Sequence, residues 1–115
     1  NFLALIQEMK LSNIWLQKIY LLEFSMLKIL EDLVTLARER KSNPVEGSYT
    51  NKLLEDKSLA KEKVLEEINE LIEAVEQDSN KIHEAADVLY HLIMYLEKNG
   101  IKIEEVMEEL NSRKK

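Results

Sequence analysis

Between Ser42 and Tyr49 the chain reads Ser-Asn-Pro-Val-Glu-Gly-Ser-Tyr, which places its only proline and one of its two glycines in a single short run. Proline has no amide hydrogen to give a helix, and glycine readily leaves helical backbone angles, so the run breaks a helix on local chemistry alone. Almost everything on either side repeats its apolar residues at helical spacing. With 45% hydrophobic and 33% charged residues, the chain belongs to the all-α class and not to sandwiches or disordered tails. Its 115 residues suit one domain with a real core, small enough that its helices can lean on a second copy.

The apolar spacing then sets the helices. Phe2 to Met9 has helical spacing, with Ser12 or Asn13 as the cap of the next helix. From Ile14 through Trp15, Ile19, Leu22, Met26, Ile29, Leu30, Leu33 and Leu36, the rhythm predicts a long helix ending near Lys41. Trp15, Tyr20 and Phe24 read as core or dimer contacts. Thr50 to Glu55 predicts a short helix, and the lysines Lys57, Lys61 and Lys63, with Ser58 as a cap, lead into a third main helix that runs to about Gln77. Its stripe is Val64, Leu65, Ile68, Leu71, Ile72 and Val75. After a polar turn, a helix from about Asn80 to Lys98 has its main stripe at Ile82, Ala85, Ala86, Leu89, Leu92, Ile93 and Leu96. The opposite side carries Glu84, Asp87 and His91 with Val88, Met94 and Tyr95, which predicts a helix covered on both sides. Asn99-Gly100 stops it, a short helix spans about Ile103 to Leu110, and residues 112–115 read as a solvated tail.

Charge and composition exclude several functions. A formal charge of -6 argues against a nucleic-acid-binding surface, which needs clustered Lys and Arg to displace counterions. Glu8, Lys10, Lys18, Glu23 and Lys28 interrupt the apolar N-terminal region, leaving no membrane span. A signal peptide is not expected either, because the basic start and small-residue cleavage site are missing. The absence of cysteine removes disulfides, thiolate zinc sites and cysteine nucleophiles, and suits a cytoplasmic location. The sequence does not begin with Met, so its natural start is not fixed.

Chemistry concentrates between Val64 and Tyr90. Glu67 and Glu70 lie one helical turn apart, Glu84 and Asp87 repeat the spacing on the next helix, and Gln77-Asp78-Ser79-Asn80 allows the two to run antiparallel. Four acids in one cleft raise each other's pKa unless something positive is bound. A hard divalent cation answers that need, and all-oxygen ligands favour Mg²⁺, or Mn²⁺ as a substitute, over zinc. A water polarised there can attack phosphorus. The competing reading is a solvated acidic face, since E-x-x-E is common; the second pair on an adjacent covered helix favours metal. A di-iron site would need Glu three residues before His, and neither His83 nor His91 has it. His83 is expected on a solvated edge and His91 against a neighbouring helix. In the loop, Ser48, Tyr49, Thr50 and Lys52 gather hydroxyls and an ammonium suited to a phosphate or sugar; an ordinary capped turn explains them equally well.

Glu67-x-x-Glu70, thirteen intervening residues (71–83), then Glu84-x-x-Asp87 resembles the signature of the all-α nucleotide pyrophosphohydrolases, which include MazG-like enzymes and phosphoribosyl-ATP pyrophosphohydrolase. The segment Asn43 to Leu54 resembles the N-P-x-E-G-S-Y-T-x-K-L run of the latter, and Glu84 to Leu92 its E-A-A-D-L-L-Y-H-L run. The resemblance covers about Leu27 to Leu110. It implies a helical bundle completed by dimerisation, hydrolysis of phosphoribosyl-ATP to phosphoribosyl-AMP and pyrophosphate in histidine biosynthesis, Mg²⁺, and a homodimer. By position, Glu67, Glu70, Glu84 and Asp87 would hold metal, and Glu66 would be a further ligand or general base, making Glu66 and Glu67 the catalytic acids. Lys52 and Lys63 would meet phosphates, and Ser48, Tyr49 and Thr50 would line the substrate site. The family often has Gly where this chain has Leu65. Residues 1–25 have no counterpart and form an added N-terminal segment before a domain at 26–115. Two other readings are a MazG-like nucleoside triphosphate pyrophosphohydrolase and a non-catalytic helical interaction module.

Overall fold

The computed structural model describes residues 14–114, with side chains from residue 28 onward. The predicted helix at Phe2 to Met9 and the contacts of Trp15, Tyr20 and Phe24 lie outside what is described. The chain divides into two units, residues 1–32 and 33–115, and the core, the loop and the acidic helices all belong to the second. Among the described residues every regular element is an α-helix: α1 (Ile14–Ser42), α2 (Tyr49–Glu55), α3 (Lys57–Gln77), α4 (Lys81–Lys98) and α5 (Ile103–Ser112).

Local chemistry explains the boundaries. Ser48 caps α2, its side chain accepting from the Asn51 amide. Asp56, not Ser58, caps α3 by accepting from the Leu59 amide, so Lys57, Lys61 and Lys63 lie inside that helix and not on an approach to it. Aspartate accepts through a carboxylate without rotating a hydroxyl, and starting the helix at its position leaves no gap after α2. The α3–α4 turn uses two left-handed residues, Asp78 and Asn80, residue types that tolerate that backbone. Gly100, at φ 70°, ends α4 in a conformation that only glycine adopts without penalty.

α3 packs chiefly along α4, and α2 lies against both. The core holds Ala37 of α1, Leu53 and Leu54 of α2 and Met94 of α4, with Leu59 and Tyr90 against it. Within one chain, most of the stripes read from the sequence do not form the inner face. Leu65, Ile68, Ile72 and Val75 of α3, and Ile82, Leu89 and Leu92 of α4, are exposed. The buried line of α3 is Ala60, Glu67 and Ala74, and that of α4 is His91, Ile93, Met94 and Glu97. Thus the polar side of α4 faces inward while much of its main stripe, predicted to be covered, faces outward.

One ionic clasp holds the last helix. Arg38 donates to Glu97 at 3.2 Å and to Glu104 at 2.6 Å, while Lys41 pairs with Glu97 at 3.6 Å. The Arg38 hydrogen bond is the main cause that holds the Glu104 carboxyl below its ordinary value. A lowered carboxylate value stabilises the fold above the unfolded pKa, and that contribution is lost as pH falls through the lowered one. Arg38→Ala should cost about 1–3 kcal/mol at neutral pH, because buried Glu97 loses a charged hydrogen-bond partner. In urea titrations the gap between wild type and variant should narrow on acidification through the carboxylate range.

Candidate functional site

The break between α1 and α2 is held open by one buried side chain. Asn51 accepts from the Val45 amide at 2.9 Å and donates to the Arg40 carbonyl, also at 2.9 Å. An amide that both donates and accepts fixes the two arms of the loop to each other. Arg40 in turn donates to the Ser48 hydroxyl at 2.7 Å. The loop walls a cavity of about 430 Å³, whose lining includes Ser48, Asn51 and Lys52 and none of the α3 or α4 acids.

The acids gather where α3 meets α4. Ligand-capable atoms of Glu66, Glu67 and Glu70 lie within 4.8 Å of one another, as do those of His83, Glu84 and Asp87. Glu70 sits beside both Glu67 and Glu84, linking the two groups. Glu67 is only 7% exposed, and one carboxylate oxygen each of Glu67 and Glu84 is buried with no hydrogen-bond partner among the described residues. Burial first, and then Glu70, push the carboxyls of Glu67 and Glu84 above their ordinary values. Orphaned oxygens among converging acids fit a hard cation, which takes oxygen ligands and cancels the repulsion.

A second network joins the loop to these acids. Tyr49 reaches His91 Nε2 at 2.8 Å, and His91 Nδ1 lies 2.7 Å from the Asp87 carbonyl. Thr50 and Tyr90 bond through their hydroxyls, and the Tyr49 ring stacks on that of Tyr90 with centroids 6.4 Å apart. Burial pushes the Tyr49 phenol up, and nearby Lys63 partly offsets the shift.

The structure therefore brings Glu66, Glu67, Glu70, Glu84 and Asp87 together and ties Tyr49 to them through His91. Lys63 pairs with Glu66 at 3.2 Å at the same end. Ser48 and Lys52 line the loop cavity instead, and Thr50 is buried against Tyr90. His83 is exposed as expected but joins the Asp87 group at 3.4 Å. Asn51, His91 and Tyr90 were not singled out as site residues. His91 follows Asp87 by one helical turn, which was a readable signal. Asn51 carried none, because its two backbone partners are apparent only once the loop is folded.

A family model described as phosphoribosyl-ATP pyrophosphohydrolase matches residues 30–114. A phosphoribosyl-ATP pyrophosphatase of Clostridium acetobutylicum is 43% identical over 91 residues, covering 75% of this chain and 81% of that protein. One from Methanobrevibacter smithii is 33% identical, covering 76% of this chain and 95% of that protein. A histidine biosynthesis bifunctional protein of Pyrococcus furiosus is 42% identical over 92 residues, and the match spans only 43% of its length. Glu67, Glu70, Glu84, Asp87 and the whole Asn43 to Leu54 loop fall inside the matched stretch, and on that basis the chain belongs to the phosphoribosyl-ATP pyrophosphohydrolase family.

Proposed function

We propose that this chain hydrolyses phosphoribosyl-ATP to phosphoribosyl-AMP and pyrophosphate, a step of histidine biosynthesis, with Mg²⁺ at the acids between α3 and α4. The observation that carries this reading is the convergence of Glu67, Glu70, Glu84 and Asp87 with two buried, unpartnered carboxylate oxygens. A merely solvated acidic face would leave those oxygens in water. The names of the Clostridium and Methanobrevibacter relatives support the same substrate.

In this reading Glu67, Glu70, Glu84 and Asp87 hold the cation, and Mn²⁺ can replace Mg²⁺. When bound, it supplies positive charge opposite the phosphate oxygens and makes water more acidic. Glu66, exposed beside Lys63, takes a proton from the attacking water. The water oxygen bonds to phosphorus, the anhydride bond breaks, and pyrophosphate departs with the electron pair. Lys63 and Lys52 meet phosphates through charge-assisted hydrogen bonds. Tyr49 and Ser48 line the nucleotide site, and Thr50 supports it through Tyr90.

The reading includes a homodimer. Leu65, Ile68, Ile72 and Val75 of α3, with Leu89 and Leu92 of α4, form an exposed apolar face of the kind that marks association between chains. It also places the protein in the cytoplasm, in keeping with a chain free of cysteine. No helix of the described residues is long and apolar enough to cross a membrane.

Purified protein with Mg²⁺ should release pyrophosphate from phosphoribosyl-ATP faster than from a nucleoside triphosphate; the reverse order would move the assignment to a MazG-like substrate. Asp87→Asn should lower turnover by about a hundredfold or more, the scale of a lost charge-stabilising group, with an unchanged circular dichroism spectrum. Raised carboxyl values stabilise the fold below the unfolded pKa, and that contribution is lost as pH rises through the raised values. In chelator at pH 8, Glu67→Gln should therefore be more stable than wild type by about 1 kcal/mol, and Mg²⁺ should no longer raise its melting temperature. Ile72→Glu should shift the sedimentation coefficient from dimer toward monomer.

A further inference from the structure

Hydrogen-bond polarity separates Tyr49 from the other hydroxyls of the loop. His91 is only 7% exposed, and its Nδ1 faces the Asp87 carbonyl at 2.7 Å. A carbonyl oxygen only accepts, so Nδ1 carries the ring proton. With a single ring proton, placed on Nδ1 by that carbonyl, Nε2 holds a lone pair, and the group facing it at 2.8 Å is the Tyr49 hydroxyl, which then donates. The Tyr49 proton is thereby committed, and its oxygen has only acceptor capacity left to offer.

That oxygen is also held in place. The Tyr49 ring stacks on Tyr90 and meets His91 edge-on at 5.7 Å, while Thr50 fixes the Tyr90 hydroxyl. Even so, Tyr49 remains 41% exposed. A fixed acceptor on a partly exposed residue is a poor partner for phosphate oxygens, which are acceptors themselves, and a good one for a hydroxyl. Phosphoribosyl-ATP has ribose hydroxyls close to its phosphates, and Tyr49 lies near enough to Lys63, Glu66 and Glu67 to feel their charges, at the end where phosphates would sit.

We propose that His91 is a positioning residue that takes the Tyr49 hydroxyl proton in a hydrogen bond, turning Tyr49 into an acceptor for a ribose hydroxyl of the substrate. The proposal rests on the reading that Tyr49 lines the substrate site. It assigns His91 no contact with the reacting atoms.

The test combines kinetics with a measurement that needs no turnover. Tyr49→Phe should raise KM for phosphoribosyl-ATP about five- to tenfold, the scale of one neutral hydrogen bond, with kcat changed less than about twofold on the same scale. His91→Leu should do the same, His91→Gln should restore much of the loss because its carbonyl can accept from Tyr49, and combining Tyr49→Phe with His91→Leu should cost no more than either alone. On substrate analogues lacking one ribose hydroxyl in turn, one analogue should erase the Tyr49→Phe penalty. An unchanged KM in Tyr49→Phe, a penalty that persists on every analogue, or a His91→Gln variant as impaired as His91→Leu would each overturn the proposal. Nitrogen-15 spectra of histidine-labelled protein should show His91 protonated at Nδ1, with an Nε2 signal that moves in Tyr49→Phe; protonation at Nε2 instead would overturn it. If wild type itself fails to turn over phosphoribosyl-ATP, the activity reading fails, and the spectra judge the hydrogen bond by themselves. Should His91→Leu fail to fold, Tyr49→Phe still decides, because it removes only one oxygen from a partly exposed ring.

Discussion

Repulsion among the carboxylates between α3 and α4 is the constraint on which the site depends. Glu67 is buried, Glu70 stands beside it and beside Glu84, and two oxygens lack partners among the described residues. A fold does not carry buried like charges without cost, because desolvation and Coulomb repulsion add. The cost is tolerable when a cation binding only the folded state offsets it through linkage. The helices serve as a frame that keeps the acids close despite that repulsion. The short α3–α4 turn, with Asp78 and Asn80 in left-handed conformation, brings the chain back so that α4 packs along α3.

Two polar side chains transmit the position of the frame to the loop. Asn51 joins the arms of the loop at Val45 and Arg40, while His91 links Tyr49 to the Asp87 backbone. Each is buried and satisfied, so displacing either leaves backbone or ring groups unpaired. The Arg38, Glu97, Glu104 and Lys41 clasp acts farther along α4 and fixes α5. Polar contacts thus position the elements, while the apolar core of Leu53, Leu54, Ala37 and Met94 supplies the burial that holds them.

Much of this was legible before folding. The proline and glycine of the loop marked its place, the 3.6-residue rhythm set α1 and α4 within about a residue, and acids one turn apart on successive helices pointed to one cleft. The inner face of the single chain was not legible, because apolar periodicity reports that a face is covered without saying by what. On α3 the stripe through Leu65 and Ile72 is exposed, while Ala60, Glu67 and Ala74 are buried, an order opposite to that of hydrophobicity. Ser58 was read as the cap in place of Asp56 because both residue types cap helices. The tie of His91 to Tyr49 spans 42 residues, a reach that leaves no local trace beyond the one-turn spacing from Asp87, and the two backbone partners of Asn51 meet it only once the loop is folded.

Whether Glu67, Glu70, Glu84 and Asp87 together hold a divalent cation is decided by anomalous diffraction at the manganese edge, from crystals grown with Mn²⁺ and a non-hydrolysable substrate analogue. A shared site should give a strong anomalous peak between α3 and α4, within coordination distance of oxygens from all four acids. Density showing those carboxylates turned into solvent, with no anomalous peak between the two helices, would contradict it.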